Sequence, residues 1–219
     1  MIETGINFGD IHSFYDLNLV LSAVDIPPAV PKTIYIDNPG GDGSIDLTEA
    51  NGEVHYYDRD GCKFTFSVHP LETMSFEAKK TQVANALNGK YFDAIVLDKD
   101  SAYQYSGRCA VSEWLQDKNL KQIVVTAILA PYKLKRSDTV VSVALTETPQ
   151  IITLLNSKRR VVPVVTCTGE ASIETASGSY NLSPGTYDNL YEIYLSEGSN
   201  GLKVYGSGTI TFTYREGDL

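Results

Sequence analysis

Three histidines (His12, His55 and His69), three cysteines (Cys62, Cys109 and Cys167) and 27 acidic residues are the groups in this 219-residue chain that could do chemistry. Nucleophilic catalysis needs a hydroxyl or thiol held against a base. No G-x-S-x-G elbow occurs, and all three histidines fall in the first third, so no Ser/His/Asp or Cys/His pairing has local support. Each histidine reads as a surface or hydrogen-bonding residue. A zinc cage needs closely spaced thiols or imidazoles, but there is no C-x-x-C and no H-E-x-x-H. The scattered cysteines read as buried, inert thiols. No pair of carboxylates stands out from the other acidic residues as glycosidase machinery.

The acidic, glycine-rich stretch from Asp37 to Glu49 is the best candidate for calcium. An EF-hand loop starting at Asp42 puts Ser44, Asp46 and Glu53 at ligand positions, yet Leu47 occupies the place that needs glycine. A start at Asp37 puts Pro39 at a ligand position. The stretch therefore reads as a loop of tight turns joining two strands. Its glycines are a poor phosphate cradle, because no Lys-Ser/Thr pair follows them. The basic run Lys158-Arg159-Arg160 reads as a solvated turn. A sugar site in the last third, which has no Trp and no His, would have to rely on tyrosines such as Tyr180, Tyr187, Tyr191, Tyr194 and Tyr205. Tyrosines alternating along strands serve more often as core or cross-strand partners. No catalytic, cofactor-binding or metal-binding residues are assigned.

The elements that must position these residues are mostly strands, because the apolar pattern has period two. In Lys63–Val68, Phe64, Phe66 and Val68 point one way; in Thr209–Tyr214, Ile210, Phe212 and Tyr214 face a core and the threonines face water. Tyr191, Ile193 and Leu195 read the same way, and Asp93–Leu97 and Ile123–Leu129 also read as strands. Turn formers at Asn51-Gly52, Asp60-Gly61, Pro184-Gly185 and Asn200-Gly201 separate such runs. One segment breaks the period. From Ser75 to Asn88, Phe76, Val83, Ala84 and Leu87 share a helical face, and Gly89 sits where a left-handed C-terminal cap belongs.

Length allows one large domain or two small ones. The histidines, the only Trp (Trp114) and the helix all precede residue 120, and the polar run Pro131–Asp138 follows a strand, so the expected division is 1–135 and 140–219. The second part has short strands at β-sandwich spacing. With 42% hydrophobic and 21% charged residues the chain can pack a core. Its 18 basic and 27 acidic residues leave a net charge of −9, which repels phosphates and argues against specific nucleic-acid binding. An odd number of separated cysteines points to a reducing compartment. The N-terminus lacks the basic and apolar regions of a signal peptide, and no apolar run approaches the about 18 residues of a membrane helix. A soluble protein made in a cytosol, with no membrane partner, is expected.

Several patterns together resemble one family. They begin with Asn7-Phe8-Gly9-Asp10, His12-Ser13, Asp16 and Leu17, followed by Tyr35-Ile36-Asp37-Asn38-Pro39-Gly40-Gly41-Asp42-Gly43-Ser44-Ile45-Asp46-Leu47-Thr48-Glu49. Further along are the helix end Leu87-Asn88-Gly89, a turn at Tyr105-Ser106-Gly107-Arg108, and Ala130-Pro131-Tyr132-Lys133. Gly206-Ser207-Gly208 leading to Thr213-Tyr214-Arg215 completes the series. In order and spacing these are similar to the phage distal tail proteins, the Dit family, hubs at the tail tip of long-tailed phages of Gram-positive hosts.

The resemblance implies a mainly β protein. An N-terminal β-rich, ring-forming domain with one α-helix near 75–88 would be joined to a C-terminal galectin-like β-sandwich. It implies a homohexameric ring, not an enzyme, that joins the tail tube protein to the tail-tip protein, carries receptor-binding protein in many phages, and lets DNA through. Such a ring is assembled in the host bacterial cytoplasm and ends in the virion tail tip. Some relatives contain inserted carbohydrate-binding modules, for which 219 residues leave no room. Phe8, Phe14 and Tyr15 are the candidate oligomer-interface residues. The rival reading is a glycan-binding adhesin domain that contacts the host cell wall.

Overall fold

A computed structural model describes residues 5–50, 56–118, 120–175 and 178–219. The expected Asn51-Gly52 turn, His55, the ligand position at Glu53 and the first four residues lie outside the described residues. The chain forms two compact units, Met1–Pro131 and Tyr132–Leu219. The described residues are mainly β, with one α-helix.

The first unit contains β1 (Ile6–Phe8), β2 (Ile11–His12), β3 (Leu19–Asp25), β4 (Val30–Pro31), β5 (Tyr35–Asp37), β6 (Ser44–Asp46), β7 (Tyr57–Asp58), β8 (Cys62–Val68), α1 (Phe76–Leu87), β9 (Tyr91–Leu97), β10 (Tyr103–Gln116) and β11 (Lys121–Leu129). Seven of these strands run in the order β2-β1-β9-β10-β11-β8-β3, and every pairing is antiparallel. The alternation of β8 buries Cys62, Phe64 and Phe66 completely. They join Ile6, Phe8, Ile95, Ile123 and Val125 in one core, where each large apolar side chain contributes about 1.5–3 kcal/mol.

Helix α1 starts at Ser75, whose Oγ accepts the Ala78 N–H at 3.2 Å, and it lies against β10. Phe76, Val83 and Leu87 are buried as the spacing predicts. Beyond the helix Gly89 takes φ +72°, the left-handed conformation expected of a cap. The turn expected at Tyr105–Arg108 is instead part of β10, with a register slip between Tyr105 and Gly107. Gly107 is needed there because a Cβ would overlap the Ile128 carbonyl oxygen and lie 2.8 Å from Leu129 Cα. Close strand approach, not a turn, accounts for this glycine.

The second unit contains β12 (Lys133–Lys135), β13 (Thr139–Ala144), β14 (Gln150–Asn156), β15 (Val164–Cys167), β16 (Ala171–Thr175), β17 (Gly178–Leu182), β18 (Gly185–Tyr187), β19 (Gly198–Gly206), β20 (Thr209–Tyr214) and β21 (Gly217–Asp218). Two four-stranded antiparallel sheets, β13-β20-β15-β18 and β14-β19-β16-β17, make a sandwich; β12 pairs with β21. Val165, Ile210 and Phe212 from one sheet meet Leu154, Ile173 and Val204 from the other in a common core.

Two sequence expectations are corrected in this unit. Tyr191–Leu195 is a turn-rich segment, not a strand: its Ile193 N–H returns to the Leu190 carbonyl, and only Leu195 makes a bridge, to Val161. Ile193 and Leu195 are still buried, so the apolar period reports burial without a ladder. Asn200-Gly201 is not a turn but lies inside β19, opposite Leu154 and Thr153. Asn200 is polar there because its amide Nδ2 donates to the carbonyls of Leu154, Ser196 and Gly198 while Oδ1 accepts the Ser196 N–H.

Candidate subunit interface

The N-terminal corner is organised by His12. Its Nδ1 accepts the backbone N–H groups of Phe14 and Tyr15, at 3.1 and 3.2 Å, which leaves the proton on Nε2, 3.1 Å from Asp98 Oδ2. That carboxylate oxygen also accepts the Gly5 N–H at 2.7 Å, and the His12 N–H donates to Asp16 at 2.6 Å. The imidazole thus ties the chain start and the end of β9 to the loop that follows β2. The loop carries Phe14 and Tyr15. Tyr15 stacks at 4.5 Å from the imidazole and is 74% exposed. Phe14 is half-buried against His69, with centroids 5.6 Å apart.

Phe8 does not belong with these two. It has no exposed surface and packs edge-on to Phe64 and Phe66, because the strand alternation that places Ile6 and Phe8 inward leaves no ring atom for a neighbouring chain. It is a core residue, which corrects its assignment to the interface.

A second feature has no counterpart in the sequence reading of the helix. Lys79 fills the gap between Phe76 and Val83 on the buried face and is only 1% exposed. Its ammonium contacts the Glu72 carboxylate and donates to the Leu17 carbonyl at 3.0 Å and to Gln82 Oε1 at 2.7 Å. Glu72 also accepts the Met74 N–H and the Asn18 amide. The Lys79 bond, then the Met74 N–H, hold the Glu72 carboxyl down to about 2. The signal was available: position 79 lies three residues after Phe76 and four before Val83, where any residue must be buried.

The glycine-rich stretch forms the hairpin β5–β6, with Ile36 opposite Ile45. Residues 38–43 make the turn expected between strands, while Ser44–Asp46, expected to belong to the loop, is itself a strand. The Thr48 hydroxyl and N–H lower the Asp46 pKa. Every residue of the two strands is exposed, including Tyr35, Ile36 and Ile45 at 60%, 51% and 52%. Val30, Ile34 and Tyr56 are exposed beside it in the sequence. Uncovered apolar side chains on both strands of a hairpin make it a candidate contact surface. The sequence signal was the alternation around Ile36 and Ile45, but only the structure shows that no core covers either face.

Among the described residues no group of three His, Cys, Asp or Glu could hold a metal ion, and no helix is long and apolar enough to cross a membrane. The three cysteines are free and buried; burial raises all three thiol pKa values, that of Cys109 to about 12. Of the tyrosines considered for sugar binding, Tyr180 and Tyr187 pack against the second core, while Tyr191 and Tyr194 are exposed. The Lys158–Arg160 run is a bend; Lys158 pairs with Glu197, and Arg160 lies over the Tyr194 ring.

No family model matches the chain, and no curated protein matches it. A search of solved structures finds the Dit protein of phage SPP1, whose crystal structure is described as a paradigm of the hub adsorption apparatus in phages infecting Gram-positive hosts. The match has a TM-score of 0.67 at 12% sequence identity and covers 97% of this chain and 98% of that one. The chain has the fold of SPP1 Dit. The Dit likeness covers both compact units, with no large segment left over on either side. At this identity surface side chains are not shared in general, so the interface has to be argued from the residues present here.

Proposed function

We propose that this chain is a structural, non-enzymatic hub of a phage tail tip. It closes as a homohexamer into a ring that joins the tail tube protein to the tail-tip protein and lets DNA pass. The observation that carries this reading is the end-to-end fold match to a hub protein. Subunit contacts come from the first unit, where Tyr15 and the β5–β6 hairpin expose apolar surface. An isolated two-stranded hairpin is marginally stable in water, so a neighbouring subunit covers Tyr35, Ile36 and Ile45. A net charge of −9 suits a channel crossed by DNA, since phosphates are repelled and not held. Free buried thiols suit assembly in a bacterial cytoplasm before release in the virion. A receptor-binding protein would attach at the rim.

Light scattering tests the ring. Six 24.0 kDa chains give about 144 kDa, with a central hole in electron micrographs. Ile36→Ser combined with Ile45→Ser should shift the protein to monomer without unfolding the first unit, because both side chains are exposed and no core is lost. A strict monomer at all concentrations would overturn the ring; an intact hexamer in the double variant would overturn the hairpin contact.

A further inference from the structure

The second unit holds a cleft that a hub role leaves unused. It has a volume of about 320 Å³ and is lined by Glu192, Ile193, Tyr194, Ser196, Ser199 and Asn200, among others. Its shape is set by residues that cannot move freely. Ile193 is buried in the sandwich core, and the Asn200 side chain is committed to four backbone groups. Tyr194 is 43% exposed, and its ring is braced by the Arg160 guanidinium, 3.4 Å from the ring centroid. The rim is the opposite of committed. The hydroxyls of Ser196 and Ser199 and the carboxylate of Glu192 have no hydrogen-bond or ion-pair partner among the described residues, and all three residues are exposed.

We infer that this cleft binds a saccharide, with one pyranose ring against Tyr194 and its hydroxyls bonded to Glu192, Ser196 and Ser199. The chemistry selects that class. A pyranose offers a face of C–H groups to an aromatic ring and a belt of hydroxyls that both donate and accept. The cleft supplies a braced ring, two hydroxyls that do both, and a carboxylate that accepts. Its volume sits at the low end of small-molecule sites, roughly 300–1,000 Å³, which suits one or two sugar units. An anion such as phosphate would meet the Glu192 carboxylate, and the guanidinium beside the cleft, that of Arg160, lies over the Tyr194 ring. A bare cation would find a single carboxylate there and an aromatic wall. The site belongs to the second unit alone, so it does not depend on ring closure.

Saturation-transfer NMR on the full chain tests this, with methyl β-glucopyranoside, methyl β-galactopyranoside and methyl N-acetyl-β-glucosaminide as probes. At least one should receive saturation at its ring C–H protons. Tyr194→Ala should weaken its binding roughly tenfold or more. Tyr194→Phe should keep it, since stacking needs the ring and not the hydroxyl. Ser199→Glu adds bulk and a second carboxylate at an exposed strand position; it should remove binding even if Tyr194→Ala fails to fold. No transfer to any of the three probes would overturn the inference, as would binding that survives Ser199→Glu or a folded Tyr194→Ala. A monomer that binds would refute the ring and leave the saccharide site standing.

Discussion

Replacing Lys79 by Met removes a buried ammonium while keeping the length of its apolar stem. The side chains of Lys79 and Glu72 are 2% and 6% exposed, so this is a buried pair and not a surface one. Deleting one partner of such a pair costs about 3–5 kcal/mol. Two effects pull against each other. Glu72 retains the Met74 N–H and the Asn18 amide, which lowers the cost, while the Leu17 carbonyl loses its donor, which raises it. The expected loss is about 2–4 kcal/mol. Trp114 is the only tryptophan and lies in the first unit, so urea unfolding followed by its fluorescence at fixed protein concentration reports that unit. The midpoint should fall by about 1–2 M for a slope of about 2 kcal/mol/M.

The pH dependence gives an independent check with a definite sign. The Glu72 carboxyl is lowered from 4.5 to about 2 on folding, so its contribution is fully present above pH 4.5 and is lost as pH falls from 4.5 through about 2. In Lys79→Met that part of the acid sensitivity should shrink. Adding Glu72→Gln should cost far less in the Lys79→Met background than alone, a coupling of at least about 1 kcal/mol. A loss below about 0.5 kcal/mol, or strict additivity of the two substitutions, would refute the reading of Lys79 and Glu72 as a coupled buried pair.

Other perturbations separate the remaining claims. Gly107→Ala should destabilise the first unit by several kcal/mol, seen as an earlier thermal transition of Trp114 fluorescence, because the new Cβ meets the backbone of β11, which cannot yield as a side-chain end can. Iodoacetamide at pH 8 should label none of the three thiols in the folded protein and all three in urea, since burial raises their pKa values and shields them; rapid labelling of Cys109 in the folded state would contradict its environment. Lys203→Ala should leave the melting temperature unchanged in moderate salt. Its bond with Glu174 raises the lysine pKa and lowers that of the carboxylate, yet the pair lies in water.

Much of the β architecture was legible. Period-two burial at β8 and β20 follows from the pleat, which sends alternate side chains to opposite faces whatever the rest of the chain does. The helix and its glycine cap were legible because their signals are local. Where the same signals misled, a long-range partner had taken over. Gly107 looks like a turn former but serves the close approach of β11, and Asn200-Gly201 looks like a hairpin turn but pairs with β14. Phe8 shows the same limit at the candidate site, since an aromatic residue near the N-terminus carries no label for inside or outside.

The sequence alone determined a mainly β chain with one amphipathic helix, free cysteines and an acidic balance, because periodicity, residue type and charge are properties of neighbours along the chain. It also carried the ordered motifs that resemble the Dit family. Only the tertiary structure decided which apolar residues remain uncovered, that Lys79 is buried on a pair with Glu72, and that Tyr194, Glu192 and Ser199 meet around one cleft. Glu192, Tyr194 and Ser199 are close in sequence, as are Glu72 and Lys79, but whether each is covered or left open depends on what the rest of its unit packs against it. Exposure and pairing of that kind are set by the whole packing: helical spacing marked position 79 for burial, but not the carboxylate that meets it there.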